Sequence, residues 1–153
     1  MKELELFNHR YEVQIRFADF DILGHINNTK HLVFVENARI DYMETIAGHR
    51  LHDQEITSII AHVDIDYIKP IFPGELVNIY TRCSRIGNKS YQLESITVTG
   101  DVNSPETLSI VAKSNTVIVS YDYKKEQAFP LPQEKVESLV CYEKKDSILI
   151  SQK

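Results

Sequence analysis

Tryptophan is absent from this 153-residue chain, and cysteine is scarce. The two cysteines, Cys83 and Cys141, lack the close spacing of metal ligands, and we interpret them as free thiols in a reducing cytoplasm. Glycine and proline are also few, at five each. The chain shows no repeat, low-complexity stretch or internal linker, so we expect a single domain.

Long apolar runs and an excess of basic residues are missing too. No run approaches the roughly 18 apolar residues of a membrane span. Residues 1–6 lack the apolar core and small-residue cleavage site of a secretory signal. The net charge of −5 argues against a general nucleic-acid binder, which needs clustered Lys and Arg. We expect a cytoplasmic protein that binds neither membrane nor nucleic acid, with room for one locally basic patch.

What is present describes an ordinary globular domain. Hydrophobic residues make up 42% of the chain and charged residues 25%, and the length suffices for one core. The first regular pattern is an alternation of apolar and polar residues from Tyr11 to Phe17. This period of two predicts a half-buried strand over residues 11–17.

Residues 28–47 have the pattern of one long helix, because apolar residues recur every three or four positions. Asn27 or Asn28 supplies an N-cap, and Gly48 is a natural stop. Further apolar residues widen the buried face beyond one stripe: Val33, Phe34, Ile40 and Met43. We therefore expect a sheet that wraps around much of this helix.

Four strand patterns follow the helix, at residues 59–67, 75–86, 90–99 and 107–121. Gly87-Asn88-Lys89 predicts a hairpin between the second and third of them. A short helix is expected at 133–140, and residues 142–153 receive no assignment. This order predicts an α+β fold, with a largely antiparallel sheet of about five strands and one central helix.

Residues 16–32 carry the strongest functional signal. The first strand pattern stops at two acids spaced D-x-D, Asp19 and Asp21, and a short polar turn then leads into the helix. A carboxylate placed there lies beside free backbone N–H groups and the positive end of the helix dipole. That arrangement suits chemistry at a carbonyl, where a base or nucleophile acts while donors hold the developing negative oxygen.

Four motifs carry a resemblance to a known family. Residues 19–28 follow D-x-D-x-x-G-H-V-N-N with isoleucine for valine, and residues 36–39 read E-x-A-R. Weaker matches are Y-x-x-P-x-x-x-G-D/E at 67–75 and R-x-G-x-x-S at 85–90. Over residues 11–132 the chain resembles the hot-dog-fold acyl-CoA thioesterases of the 4-hydroxybenzoyl-CoA thioesterase type.

The resemblance implies a fold, an assembly and an activity. The fold is a single hot-dog domain over residues 1–132, with the sheet curled round the long helix and a C-terminal extension at 133–153. The assembly is a homodimer joined edge to edge, or a homotetramer, with active sites at the subunit interface. The activity is hydrolysis of an acyl-CoA to free acid and coenzyme A, and no cofactor or metal is implied.

The resemblance also implies roles for individual residues. Asp21 is the catalytic carboxylate, as general base or as nucleophile giving a mixed anhydride, and the main-chain amide of Asn28 is an oxyanion donor. His25 orients the substrate or bonds near the thioester. Read without the family, Asp21 is a capping acid and His25 a loop histidine. Asp19 fits a structural turn acid in either reading.

The basic residues round the predicted hairpin are candidates for contacts with the phosphates or pantetheine of coenzyme A. They are Arg82, Arg85, Lys89 and Ser90. Their plain alternative is a solvated strand end. Glu36 and Arg39 lie three apart on the helix and are expected to form an architectural ion pair. His31 departs from the family, which usually has an aromatic residue such as tyrosine there, so the shape and polarity of the acyl pocket stay open.

Other functions compete with thioester hydrolysis. Hot-dog dehydratases and hydratases have D-x-x-x-x-H, or a histidine with a glutamate fourteen residues later, and neither spacing occurs between Asp21, His25 and Glu36. A non-catalytic acyl-CoA or acyl-carrier-protein binding module is disfavoured only by the presence of Asp21. His25 and His31 are six apart, too weak a signal for a metal site. The acyl chain, and the choice between coenzyme A and carrier protein, are left open.

Overall fold

The computed structural model of this protein describes residues 2–51, 57–143 and 148–150. A 20-residue helix packs on one face of a seven-stranded sheet. The elements in chain order are β1 (His9–Glu12), α1 (Asn28–Ala47), β2 (Ser58–Tyr67), β3 (Val77–Ile86), β4 (Ser90–Thr99), β5 (Ser109–Asp122), β6 (Gln127–Ala128), α2 (Gln133–Tyr142) and β7 (Leu149–Ile150).

The main sheet has the order β1-β3-β4-β5-β2, and all of these neighbours pair antiparallel. The two short strands extend it: β6 pairs with the end of β5, and β7 pairs parallel with the end of β3. The α+β class and the four strands predicted after the helix are confirmed. The β3–β4 connection is the predicted hairpin, in which Gly87 N–H donates to the carbonyl of Ser90 at 2.8 Å.

Helix α1 begins and ends where its sequence signals predict. The Asn27 side chain accepts a hydrogen bond from Thr29 N–H at 2.9 Å, so Asn27 is the N-cap. Gly48 has a left-handed backbone with φ of 71°, and its N–H donates to Glu44 O. The side of α1 that faces the sheet is buried: His31, Phe34, Val35, Ala38, Arg39 and Tyr42.

The first strand is shorter than the alternation of residues 11–17 predicts. Val13 N–H still donates to Val77 O at 2.9 Å, but β1 ends at Glu12 and Phe17 is 96% exposed. The reason is a local competitor for the backbone. Asp19 accepts a hydrogen bond from Arg16 N–H at 2.8 Å, which draws Phe17–Asp19 into a 3₁₀ turn and out of the sheet.

The sheet and the long helix have the predicted arrangement, with the outer face of the helix partly exposed. α1 packs over β1 and β3, at one side of the sheet, and its outer apolar residues Leu32, Val33 and Ile40 are 38–41% exposed. Strand β2, at the opposite edge, is exposed along most of its length on both faces. Among the described residues, nothing fully covers these outer apolar side chains of α1.

The C-terminal segment packs into the half of the core that surrounds the end of α1. The helix predicted at 133–140 is present as α2, and Leu139 is fully buried. Just beyond α2, the buried Glu143 accepts hydrogen bonds from the Tyr42 hydroxyl at 2.5 Å and from Cys83 N–H at 2.7 Å. Burial, with the nearby Glu143 charge, raises the pKa of Tyr42 and raises that of the Cys83 thiol to about 12. Residues 144–147 and 151–153 lie outside the described part.

The Tyr42–Glu143 hydrogen bond predicts a measurable loss of stability on Tyr42→Phe. Without the hydroxyl a buried carboxylate loses a donor, which costs about 1–3 kcal/mol in the free energy of unfolding. Urea denaturation at neutral pH measures this change. Tyr80→Phe is the matched control, because Tyr80 is half-buried and its hydroxyl bonds no described residue. Equal stability losses for the two variants would contradict the role of Glu143.

Candidate active site

The turn between the 3₁₀ segment and α1 is fixed by its own backbone. Phe20 and Ile26 form a β-bridge. Inside this bridge, Asp21 N–H donates to His25 O at 3.0 Å and Gly24 N–H donates to Asp21 O at 3.0 Å. Gly24 has φ of 81°, which a glycine adopts without strain. The turn therefore holds Asp21 next to the β-bridge, a few residues before α1 begins.

Asp19 ties this turn to the start of α1. Its fully buried carboxylate lies 3.3 Å from the guanidinium of Arg16 and 3.5 Å from the ammonium of Lys30, besides its bond to Arg16 N–H. Its carbonyl accepts from Asn27 N–H at 2.9 Å. Burial opposes ionisation of Asp19, but the hydrogen bonds from Arg16 and the charges of Arg16 and Lys30 outweigh it and lower the pKa. Asp19 thus has the structural role expected of it.

Asp21 lies in a different environment from Asp19. Its side chain is 20% exposed, and Oδ1 accepts a hydrogen bond from Leu23 N–H at 2.8 Å. Oδ2 lies 3.7 Å from Nδ1 of His25 and makes no hydrogen bond to a described residue. That oxygen is thus held in place by the turn and free to contact another molecule. Nδ1 of His25 lies 3.2 Å from Ile26 O, and the ring is 31% exposed.

The first turn of α1 offers one unused donor. Asn27 satisfies the next two amides, because its side chain accepts from Thr29 N–H and its carbonyl from Lys30 N–H. Across the described ranges, nothing accepts a hydrogen bond from the N–H of Asn28. A free N–H at the positive end of a 20-residue helix is a preorganised site for a negative oxygen.

Two residues that the motifs did not assign complete this end of α1. The Tyr67 hydroxyl, at the end of β2, donates to Asn28 O at 2.9 Å. The Tyr67 ring packs edge-on against His31, with centroids 5.2 Å apart. Tyr67 begins the weaker Y-x-x-P motif, and His31 is the helix position that departs from the family, so the sequence contained a signal for each.

Three of the four predicted coenzyme A residues, Arg85, Lys89 and Ser90, lie at the other end of the sheet, whereas Arg82 lies in mid-strand, opposite Glu94. Tyr67, beside the turn, pairs with Ala112 on β5, whereas the hairpin reaches Ser120, whose N–H donates to Lys89 O. Eight residues of strand at about 3.3 Å each separate the two levels by roughly 26 Å. A single chain therefore does not bring Asp21 and the hairpin together.

The four hairpin candidates have different surroundings. Arg82 lies on the outer face of the sheet, paired with Glu94 at 2.7 Å and stacked over Phe7. Lys89 is exposed and donates to Ala128 O at 3.1 Å. Arg85 is exposed and Ser90, at the start of β4, is half-buried. Their contact with coenzyme A stays a prediction.

An open cleft of about 230 Å³ lies on the β1 side of α1, away from β2. Both apolar and polar side chains line this cleft: Tyr11, Val13, Gln14, Arg16, Val33, Phe34 and Asn37. In the described part of the chain, no group of three or more His, Cys, Asp or Glu side chains is placed to hold a metal ion. The described helices include none that is long and apolar enough to cross a bilayer.

The family follows from comparison with known proteins. The model of the thioesterase-like superfamily matches residues 15–139. The chain belongs to this superfamily. The chain is 26% identical over 133 residues to FadM of Escherichia coli K12, a long-chain acyl-CoA thioesterase. This alignment covers 84% of the chain and 97% of FadM. The chain is 30% identical over 87 residues to the uncharacterised YsmA of Bacillus subtilis 168, covering 57% of this chain and 58% of YsmA.

A solved structure extends the likeness to the fold. A thioesterase of Thermus thermophilus, complexed with coenzyme A and Zn, superposes with a TM-score of 0.77 at 29% identity, covering 91% of this chain and 96% of that one. The predicted hot-dog fold is confirmed, and the expected thioester hydrolase is confirmed at the level of the family. The matches do not single out the 4-hydroxybenzoyl-CoA type.

The environment of Asp19 predicts an acid-sensitive contribution to stability. Its native pKa is below the ordinary value of 3.8, so its carboxylate stabilises the fold at every pH above that value. The contribution disappears as the pH falls through the native pKa. Asp19→Asn should therefore lower the free energy of unfolding at pH 7, and the difference from wild type should shrink below pH 4. Urea denaturation across this range measures it, and a difference independent of pH would contradict the ion-pair role.

Proposed function

We propose that this protein hydrolyses acyl-CoA thioesters, with Asp21 as general base or nucleophile and the Asn28 N–H as oxyanion donor. One observation carries the proposal. An Asp21 oxygen without a hydrogen bond and a backbone N–H without an acceptor lie at the two ends of the same fixed turn. Those are the two components that attack on a carbonyl requires.

The chemistry follows from these two groups. As a base, Asp21 removes a proton from water, the hydroxide adds to the thioester carbonyl, and the carbonyl oxygen becomes an oxyanion that Asn28 N–H binds. Collapse expels the thiol of coenzyme A, which recovers the proton, and leaves the free acid. As a nucleophile, Asp21 itself adds to the carbonyl, expels the thiol and forms a mixed anhydride, which water then cleaves. His25, 3.7 Å from Asp21, orients the substrate in either route.

The comparisons support coenzyme A as the carrier without defining the acyl chain. FadM is named for long-chain acyl-CoA, and the Thermus thioesterase holds coenzyme A. Within the described residues both cysteines are free, Cys83 buried and Cys141 exposed. Free thiols are consistent with the cytoplasm that we propose as the location of the enzyme.

We further propose that the active unit is a homodimer joined through β2. This edge strand is ten residues long, and its exposed apolar residues are Ile59, Ile60, Val63 and Tyr67. Such an edge is an unprotected template for pairing with another strand. When two β2 strands pair antiparallel about a two-fold axis, each strand covers the exposed edge of the other.

This pairing also explains how the separated site residues meet. In an antiparallel β2 pair, the Tyr67 end of one strand lies opposite the Ser58 end of the other. Ser58 pairs with Ser120, which contacts the hairpin at Lys89. The hairpin of a second copy is thus brought to the end of the sheet that holds Asp21. The long pantetheine arm then connects the thioester at Asp21 with phosphates at Arg85 and Lys89 of the second copy.

Asp21→Asn tests the chemistry. Loss of the base or nucleophile should lower kcat for acyl-CoA hydrolysis by about 10²–10⁴-fold, because an amide neither accepts the proton nor attacks the carbonyl. Release of the coenzyme A thiol, followed with a thiol reagent, measures the rate. Asp122→Asn, at the far end of β5, is the control and should retain activity. Undiminished hydrolysis by Asp21→Asn would remove Asp21 from the mechanism, and binding without any hydrolysis by wild type would indicate a non-catalytic module.

Val63→Lys tests the dimer. An exposed edge strand tolerates a charged side chain on the inner face of β2, but two strands buried against each other do not. The dimer should therefore dissociate to monomers and lose activity. Light scattering after size-exclusion chromatography measures the mass. Val140→Lys is a matched control, since Val140 on α2 is 37% exposed and Val63 38%. A dimer that persists in Val63→Lys would place the interface elsewhere.

Mixed dimers show whether one site uses two chains. Asp21→Asn and the double variant Arg85→Ala, Lys89→Ala are each expected to be impaired. In a mixed dimer, a site shared between chains combines the intact Asp21 of one copy with the intact hairpin of the other. Activity should therefore reappear on mixing. Failure to recover any activity would mean that each site is built within one chain.

A further inference from the structure

Tyr67 contacts the candidate site, but the proposed chemistry does not use it. It is the last residue of β2 and is 46% exposed. Its hydroxyl donates to the carbonyl of Asn28 at 2.9 Å. Asn28 is also the residue whose N–H is the candidate oxyanion donor. A side chain of the edge strand therefore contacts the residue that carries this donor.

Two other hydrogen bonds fix the direction of the Asn28 N–H. The carbonyl of Asn27 belongs to the same peptide group as that N–H, and it accepts from Lys30 N–H at 2.9 Å. The N–H of Asn27 donates to Asp19 O, also at 2.9 Å. These bonds orient the donor within the turn and the helix, but neither of them reaches the sheet. The Tyr67 hydroxyl supplies a bond between this first turn of α1 and β2.

A bond from a side chain has most effect where a helix has few bonds of its own. The first turn of a helix makes fewer backbone hydrogen bonds than the interior, and helix ends fray. The Tyr67 ring is itself held edge-on by the buried His31 ring, with centroids 5.2 Å apart. The hydroxyl thus approaches Asn28 from a fixed direction. Tyr67 therefore helps to set the distance between the Asn28 N–H and β2.

Tyr123 makes a similar bond at the opposite end of β2. Its hydroxyl donates to Ser58 O at 3.0 Å, and it is 53% exposed. The two tyrosines resemble each other in exposure, in bond length and in acceptor, which is a backbone carbonyl in both cases. They differ in place, because Ser58 begins β2 and Tyr67, beside Asn28, ends it. Tyr123 thus provides a control for a hydroxyl that only stabilises a strand end.

We propose that Tyr67 is a positioning residue for thioester hydrolysis, whose hydroxyl holds the oxyanion donor at a fixed distance from the strand that joins the two copies. This inference rests on the proposed function. The tetrahedral intermediate carries a negative charge on the oxygen that the donor binds, whereas the substrate carbonyl is neutral. A displaced donor therefore weakens binding of the intermediate more than binding of the substrate. Because Tyr67 ends β2, pairing of β2 with a second copy also restrains the donor.

Tyr67→Phe tests this role, since the ring remains and only the hydroxyl is lost. The kcat for acyl-CoA hydrolysis should fall by about 3- to 10-fold, the equivalent of one lost hydrogen bond, and KM should change by less than about twofold. Tyr123→Phe should keep the kcat of wild type. Thiol release measures both constants, and light scattering should give both variants the mass of wild type.

Inhibitor binding gives a readout that a purely structural role would not change. An acyl-CoA analogue with a trifluoromethyl ketone in place of the thioester forms a tetrahedral species that resembles the intermediate, whereas a thioether analogue lacks the carbonyl. Tyr67→Phe should weaken binding of the ketone by the same factor as it lowers kcat/KM, and should bind the thioether as wild type does. Tyr123→Phe should leave the ratio of the two affinities unchanged.

The possible outcomes separate this inference from the proposed function. An unchanged kcat in Tyr67→Phe, an equal loss of kcat in both variants, or a loss confined to KM would overturn the positioning role, while Asp21→Asn still decides the chemistry. A monomeric Tyr67→Phe would also overturn it, because the hydroxyl would then act through assembly. Absence of hydrolysis by wild type, for every acyl-CoA, would overturn the proposed function and this inference together.

Discussion

The buried carboxylate of Asp19 holds together the turn on which the candidate site is built. It accepts the N–H of Arg16, lies within ion-pair distance of Arg16 and Lys30, and its own carbonyl anchors Asn27, the cap of α1. Asp19 thus connects Arg16, before the turn, with Asn27 and Lys30 at the start of α1. With both ends of the turn fixed, Asp21 and the N–H of Asn28 keep a constant relation, and preorganisation of that kind lowers a barrier without rearrangement during reaction.

Asp19 and Asp21 are separated by a single residue, and their different surroundings suit the first to a structural role and the second to a chemical one. Asp19 is surrounded by donors and cations that consume its hydrogen-bonding capacity. Asp21 has one oxygen held by Leu23 N–H and the other free. Asp21, the aspartate with unused hydrogen-bonding capacity, is the one that we propose to act on the substrate.

Local patterns predicted most of the fold, because caps, turns and periodicity act over a few residues. Asn27 and Gly48 mark the ends of α1, and Gly87 marks the hairpin. The end of β1 was mispredicted because the Arg16–Asp19 hydrogen bond competes with strand pairing, and alternation cannot reveal such a bond. The sequence also could not show that the hairpin lies far from the turn. That separation depends on strand register, and with the exposed β2 edge it is the reason that we propose a second chain for the rest of the site.

A crystal structure with a non-hydrolysable acyl-CoA, in which a methylene replaces the thioester sulfur, tests the central claim most directly. The account predicts the ketone oxygen about 2.7–3.1 Å from the backbone nitrogen of Asn28. It also predicts Oδ2 of Asp21 facing the ketone carbon, directly or through one water. A ketone bound elsewhere, for example in the cleft between α1 and β1, or an Asp21 side chain turned away from it, would contradict the account.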